Sequence, residues 1–161
     1  MATGLKTQGT QLYKVATATT AVEIGNIISG TPPSPSSDEL DITSLTSTAK
    51  EYLQGLRDYG EGTFELNWDP ATVGGTNPYH YALQTDFDAG TVREWMIGFS
   101  DGTATPTAPV SSSFPTPPTT RTYLKFTGFI KSLQMQGGVN DVMKATLVVR
   151  CSGTPTLYQK V

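Results

Sequence analysis

Apolar and polar residues alternate with a period of two along most of this chain, the pattern of strands with one buried face. Residues 10–18 set Leu12, Lys14 and Ala16 against Gln11, Tyr13 and Val15. Residues 22–28 follow after Thr19-Thr20-Ala21, which predicts an N-terminal hairpin. Residues 62–69 alternate most clearly, with Phe64, Leu66 and Trp68 opposed to Thr63, Glu65, Asn67 and Asp69. Residues 91–99 place Trp95, Ile97 and Phe99 opposite Val92, Glu94 and Met96. Residues 121–136 read as one long strand, or two joined at Gly128, whose missing side chain suggests a bulge or bend. After Gly137-Gly138-Val139-Asn140-Asp141, residues 142–151 return as a partner strand, Met143, Ala145, Leu147 and Val149 alternating with Lys144, Thr146, Val148 and Arg150.

Three stretches break this period. Residues 29–37 hold three prolines and a glycine and read as a loop, with a short strand resuming at 39–43. Residues 44–62 mix helix formers (Ala49, Lys50, Glu51, Leu53, Gln54) with Gly55 and Gly60, which predicts a long, partly irregular arm. Residues 103–120 are almost wholly Thr, Ser, Pro and Ala, too poor in apolar surface to offset their ordering entropy, and read as a mobile loop. One helix is predicted. Asn77-Pro78 supplies an N-cap and a first-turn proline, Tyr79, Ala82, Leu83 and Phe87 recur at helical spacing, and Gly90 follows the end.

Composition agrees with a mainly β chain: of 161 residues, 26 are Thr, 16 Gly and 11 Pro. With 37% hydrophobic and 16% charged residues it is neither a disordered acidic chain nor a coiled coil, and its length fits a single domain over residues 1–161. A formal charge of −3, with Lys and Arg dispersed singly, offers no basic patch for gripping nucleic acid. Cys151 has no partner for an intrachain disulfide. The longest apolar runs fall far short of the roughly 18 residues a membrane helix needs, so no membrane association is expected.

Catalytic chemistry finds little support. His80 is the only histidine, which leaves no multi-histidine metal site, and it is expected on the helix surface rather than in a Ser-His-Asp site. Cys151 sits in a strand pattern and reads as a small hydrophobe. Ser47-Thr48-Ala49-Lys50 matches an acyl-transfer tetrapeptide without its companion motifs. The acids Asp38, Glu39 and Asp41, like Asp86 and Asp88, lack the spacing of a calcium loop. Trp68, Trp95, Tyr79 and Tyr81 could form a stacking platform, but core packing is the simpler account for the two tryptophans. No catalytic residue, metal or cofactor is expected; the residues point to binding or assembly.

A series of motifs, in order, bears on what is assembled: Leu40-Asp41-Ile42-Thr43-Ser44-Leu45, Ala49-Lys50-Glu51-Tyr52-Leu53, Gly55-Leu56-Arg57-Asp58-Tyr59-Gly60 and Phe64-Glu65-Leu66-Asn67-Trp68. Trp95-Met96-Ile97-Gly98-Phe99 with Asp101-Gly102, Phe126-Thr127-Gly128-Phe129-Ile130 and Gly137-Gly138-Val139-Asn140-Asp141 complete it. Together they resemble the tail tube (major tail) proteins of lambda-like siphophages over most of residues 8–153. The resemblance implies a β-sandwich or barrel-like fold with one flanking helix and long loops. Six copies would form a ring, and stacked rings the hollow conduit for DNA ejection.

It further implies an inter-subunit arm at 30–62, with Leu40, Asp41, Tyr52, Leu53, Leu56, Arg57 and Asp58 in reach of neighbours. An acidic lumen is implied as well, for which Glu65, Asp69 and Glu94 are the available acids. The same alternation would also suit the outer surface. The implied partners are further copies of the chain, a tape measure protein, a tail terminator and a distal tail protein, with DNA passing unbound. The implied location is the virion tail, after synthesis in the host cytoplasm. Some relatives add a C-terminal immunoglobulin-like decoration; this chain ends eight residues after Gly153, so a smoother outer surface is expected. Two other readings stay open: a carbohydrate- or protein-binding β-sandwich such as a distal tail ring, supported if Trp68 or Trp95 is exposed, and a glycosidase with Glu65 and Glu94 facing each other.

Overall fold

The computed structural model describes residues 4–70 and 79–161. Ten strands and one helix run in the order β1 (Gln11–Val15), β2 (Ala21–Ile24), β3 (Ile27–Thr31), β4 (Ser36–Asp41), β5 (Tyr52–Asp58), β6 (Glu61–Asn67), α1 (Tyr79–Asp88), β7 (Arg93–Gly98), β8 (Tyr123–Gln136), β9 (Lys144–Cys151) and β10 (Thr156–Tyr158). All pairings are antiparallel. The main sheet has the order β2-β1-β7-β8-β9-β6-β3, with β10 beside the start of β8.

The 14-residue β8 bends this sheet into a sandwich. Its first half pairs with β7 from Tyr123 to Gly128 and its second half with β9 from Gly128 to Gln136, with a bulge between Ile130 and Ser132. The turning point is Gly128, where a Cβ would lie 2.4 Å from the Arg150 carbonyl oxygen. Strands β2 and β3, at opposite ends of the sheet order, follow each other in sequence. Asn26, at φ 58°, makes the corner between them and splits the single strand expected over 22–28. The two layers thus close on one interior packed with Leu12, Phe64, Leu66, Trp95, Ile97, Phe126, Leu147 and Val149. Trp95 is fully buried and donates its indole N–H to the Gly128 carbonyl, 3.2 Å away.

Helix α1 packs against β8 and β2. Its inward stripe is His80, Leu83 and Asp86, one residue per turn, while Phe87 is exposed. The apolar spacing thus places Leu83 inward correctly but misses the polar His80 and Asp86 beside it. His80, expected on the helix surface, is fully buried and stacks on Trp68 with ring centroids 5.4 Å apart. Its Nδ1 accepts the Asp69 backbone N–H at 2.9 Å and its Nε2 lies 3.2 Å from the Gly25 carbonyl, so the neutral tautomer satisfies both partners. Asp86 meets the equally buried Lys14 of β1, and also Arg93 at 2.9 Å. Polar groups can occupy the inner face because each is paired. The expected cap Asn77-Pro78 lies outside the described residues; the helix ends at Asp88, and Gly90 beyond it takes φ 60°.

A second apolar cluster lies on the outer face of the layer formed by β1, β7 and the start of β8: Tyr13, Val15, Met96, Phe114 and Tyr123. Phe114 comes from the Thr/Ser/Pro-rich segment 103–120, expected to be mobile. The structure instead packs that segment onto the sheet, with Pro109, Phe114 and Pro117 buried. Three well-placed apolar residues and the backbone bonds described below supply the ordering that overall composition does not suggest. The arm expected to be partly irregular is a hairpin: β4 and β5 form a separate two-stranded sheet. Strand β3 also runs to Thr31, into the stretch read as a loop.

Candidate assembly surfaces

The two layers have opposite outer faces. Over β1, β7 and the start of β8, the 103–120 segment is fastened down. Glu94 of β7 accepts Ser113 Oγ at 3.0 Å and the Phe114 backbone N–H at 2.7 Å, and Lys125 lies 3.8 Å away. Arg121, fully buried, places all five of its N–H groups on acceptors: the carbonyls of Gly9, Gly98, Phe99 and Ala104 and the side-chain oxygen of Gln11. One guanidinium thus ties the N-terminal segment, the end of β7 and the start of the loop together, its charge spread over oxygen dipoles and the Tyr123 ring.

Over β3, β6, β9 and the second half of β8 none of the described residues lays down a loop. That face presents Thr63, Glu65, Lys131, Gln134, Thr146, Val148 and Arg150, following the alternation of β6 and β9. Each of its cations has a carboxylate beside it: Lys131 is 2.6 Å from Glu61, Arg150 2.7 Å from Asp58 and Lys144 3.8 Å from Asp141. Glu65 accepts Ser29 Oγ at 3.0 Å and is in none of the ion pairs among the described residues. The strands that bound this layer, β3 and the second half of β8, each pair on one side only among the described strands.

The three acids grouped from the sequence are therefore not together. Glu65 lies on the open polar face, and Asp69 beyond the end of β6, its backbone bound to His80. Glu94 lies on the covered face of the other layer, so Glu65 and Glu94 do not face each other as a glycosidase pair would. Trp95 is buried and Trp68 half-buried against His80, so neither forms an exposed stacking platform. No group of three or more His, Cys, Asp or Glu side chains that could hold a metal occurs among the described residues.

The β4–β5 hairpin stands away from the body. Leu40 pairs with Leu53 and Asp41 with Tyr52, and a register shift at Asp38 fits over Gly55. Pairing with β4, rather than helix propensity, decides the conformation of β5. The turn is closed by side chains: Asp41 Oδ1 accepts the Thr43 N–H, Thr43 Oγ1 accepts the Glu51 N–H, and Ser44 bonds Ser47. Both faces are exposed. Leu40, Ile42 and Leu53 share one side, Tyr52 lies on the other, and Leu45 at the tip is bare. A two-stranded sheet showing this much apolar surface lacks the burial that stabilises a sheet in isolation. The signal missed in the sequence was charge: residues 36–58 carry five of the 14 acids and two of the 11 bases. The whole −3 thus belongs to the hairpin, and the rest of the chain balances nine against nine.

Comparison with known proteins agrees with this architecture. The family described as phage tail tube, lambda-like, matches residues 3–161. "Structural protein 3" of Pseudomonas phage PAJU2 is 34% identical, across 97% of this chain and 94% of its own length. Among solved structures, the tail of an empty gene transfer agent particle, obtained by helical refinement with C6 symmetry, superposes with a TM-score of 0.67 at 15% identity, covering 95% of this chain and 98% of that one. The SPP1 tail tube superposes at 0.64 and 10% identity, covering 98% and 81%. These two superpositions speak for the fold, and the family match for what the protein is. The chain belongs to the lambda-like phage tail tube family, whose members are structural components of the virion rather than enzymes.

Proposed function

We propose that copies of this chain assemble head to tail into six-membered rings that stack into a tube, with the open face of β3, β6, β9 and the second half of β8 lining the channel. The observation that carries the reading is the asymmetry of the two layers. One outer face is sealed by the chain's own loop, and the other, among the described residues, is left mostly polar and uncovered between two strands that pair on one side only. An edge of β3 meeting the β8 edge of the next copy is a heterologous contact, and such contacts close into rings when the rotation permits.

This face suits a DNA conduit because its cations are already neutralised. Lys131, Lys144 and Arg150 stand beside carboxylates, and Glu65 leaves residual negative charge, so little remains to hold phosphates electrostatically. Glu65 is thus the lumen acid of this reading, Asp69 lies at its margin, and Glu94 serves the loop. The β4–β5 hairpin, with Leu40, Asp41, Tyr52, Leu53, Leu56, Arg57 and Asp58, reaches an adjacent copy. A tape measure protein inside the tube, with a terminator and a distal tail protein at its ends, are the further partners. Synthesis takes place in the host cytoplasm.

Negative-stain electron microscopy of the concentrated protein, alongside its sedimentation profile, tests this directly. Hollow tubes or stacked rings are the expected result. A strictly monomeric species, even with a tail initiator complex added, would overturn the assembly reading in favour of a binding module.

A further inference from the structure

A groove of about 640 Å³ opens between the N-terminal segment and β3, and its lining includes Leu5, Ile28, Pro32, Phe64, Ile97 and Phe99. Its floor reaches the sandwich interior, where Phe64 and Ile97 are buried core residues, while Leu5 and Ile28 on its walls are exposed. Lys6 is the one charged residue among the described residues of the lining. The chain thus carries an apolar recess with one cation at its edge.

The same chain carries its complement. On one side of the hairpin, Leu40, Ile42 and Leu53 form an apolar ridge. Glu51, whose carbonyl accepts the Ile42 N–H, stands beside it on the same side, in the segment that holds all of the protein's net negative charge. From these observations, and resting on the tube assembly proposed above, we infer that the Leu40–Ile42–Leu53 ridge of one copy seats in the Leu5–Ile28–Phe99 groove of an adjacent copy, with Lys6 facing Glu51. The hairpin does not reach its own groove, since no other strand or helix packs extensively on β4 or β5. Burying the ridge supplies the cover that a two-stranded sheet lacks, and the charge pairing sets its register. Donor and acceptor lie on different patches of one subunit, so each copy gives one hairpin and receives another.

The test uses two single-cysteine chains, Ile42→Cys and Ile28→Cys, each doped into an excess of the unmodified chain so that tubes form. Pelleted tubes are then treated with a short bismaleimide. Covalent dimers are expected only when both variants are present; either variant alone, or the unmodified chain with its buried Cys151, serves as control. In parallel, Lys6→Glu at low salt is expected to lower the pelleted fraction at least fivefold, with recovery in the double variant Lys6→Glu/Glu51→Lys. Tubes that contain both cysteine variants yet give no dimer, or a Lys6→Glu chain that assembles like the unmodified one, overturn the groove assignment alone. An unmodified chain that forms no tubes overturns the assembly reading beneath it.

Discussion

Glu94 Oε2 accepts the backbone N–H of Phe114 at 2.7 Å, and through this bond one carboxylate holds a weakly apolar loop onto the sheet. The same carboxylate takes Ser113 Oγ, so the turn at 110–113 is fixed where Phe114 enters the cluster of Tyr13, Met96 and Tyr123. A charge-assisted bond to a partly buried backbone donor is among the stronger single contacts available to a small domain.

Glu94→Ala should therefore free residues 103–120 at a cost of about 2 kcal/mol, since Phe114 N–H loses its acceptor. Faster proteolysis within 103–120, with the rest of the chain resistant, is the expected readout. Cleavage unchanged from that of the unmodified protein would mean that Phe114 packing and the bonds from Arg121 hold the loop without Glu94.

His80 makes stability sensitive to mild acid. Burial holds its imidazole below the ordinary value, opposed in part by the Gly25 carbonyl. The folded state therefore binds fewer protons than the unfolded one. Its contribution is complete above about pH 6.5, the ordinary histidine value, and declines as pH falls toward the lower folded value. The urea midpoint should fall between pH 7.5 and 5.5 in the unmodified protein and stay nearly flat in His80→Gln, whose amide can still meet Asp69 and Gly25.

Asp86 acts in a more acidic window. Burial pushes its carboxyl up, but the hydrogen bonds and charges of Lys14 and Arg93 outweigh that and hold it below the usual carboxylate range. Its stabilisation is present above the ordinary carboxylate value and is lost as pH falls through the depressed one. Lys14→Met removes the buried partner and should cost about 3 kcal/mol at neutral pH, measured by denaturant unfolding. Asp86→Asn/Lys14→Met should recover part of that loss by removing both charges.

Gly128→Ala tests the bend in β8. Its Cβ would lie 2.4 Å from the Arg150 carbonyl oxygen, which belongs to the paired backbone of β9 and has little freedom to retreat. A loss of roughly 2–3 kcal/mol is expected. An alanine variant as stable as the parent would show that the two layers can separate at this point without cost.

Glu65→Lys examines the channel wall. It places an unpaired cation on the open face while leaving the buried side of β6 unchanged. Tubes should still assemble, and they should retain short duplex DNA at low salt and release it as salt rises. No DNA retention by intact tubes would remove Glu65 from the lumen.

Much of this was legible from the order of residues because a strand with one buried face writes its own pattern. The alternation in β6, β7 and β9, the flexible break at Gly128 and the single helix are local consequences of side-chain period and backbone freedom. So are the tail-tube motifs, which follow those elements in sequence. What tertiary structure decided depends on partners distant in sequence. His80 and Asp86 turn inward only because Gly25, Asp69, Lys14 and Arg93 are there to receive them. Residues 52–58 become a strand because 36–41 offer an edge to pair with, and 103–120 pack on the sheet because Glu94 and Arg121 bond them there. Glu65 and Glu94 look alike in a period-two pattern. The bend of β8 puts them on different faces, one covered by the chain itself and one left bare, because alternation states which side of a strand a residue occupies but not what covers that side.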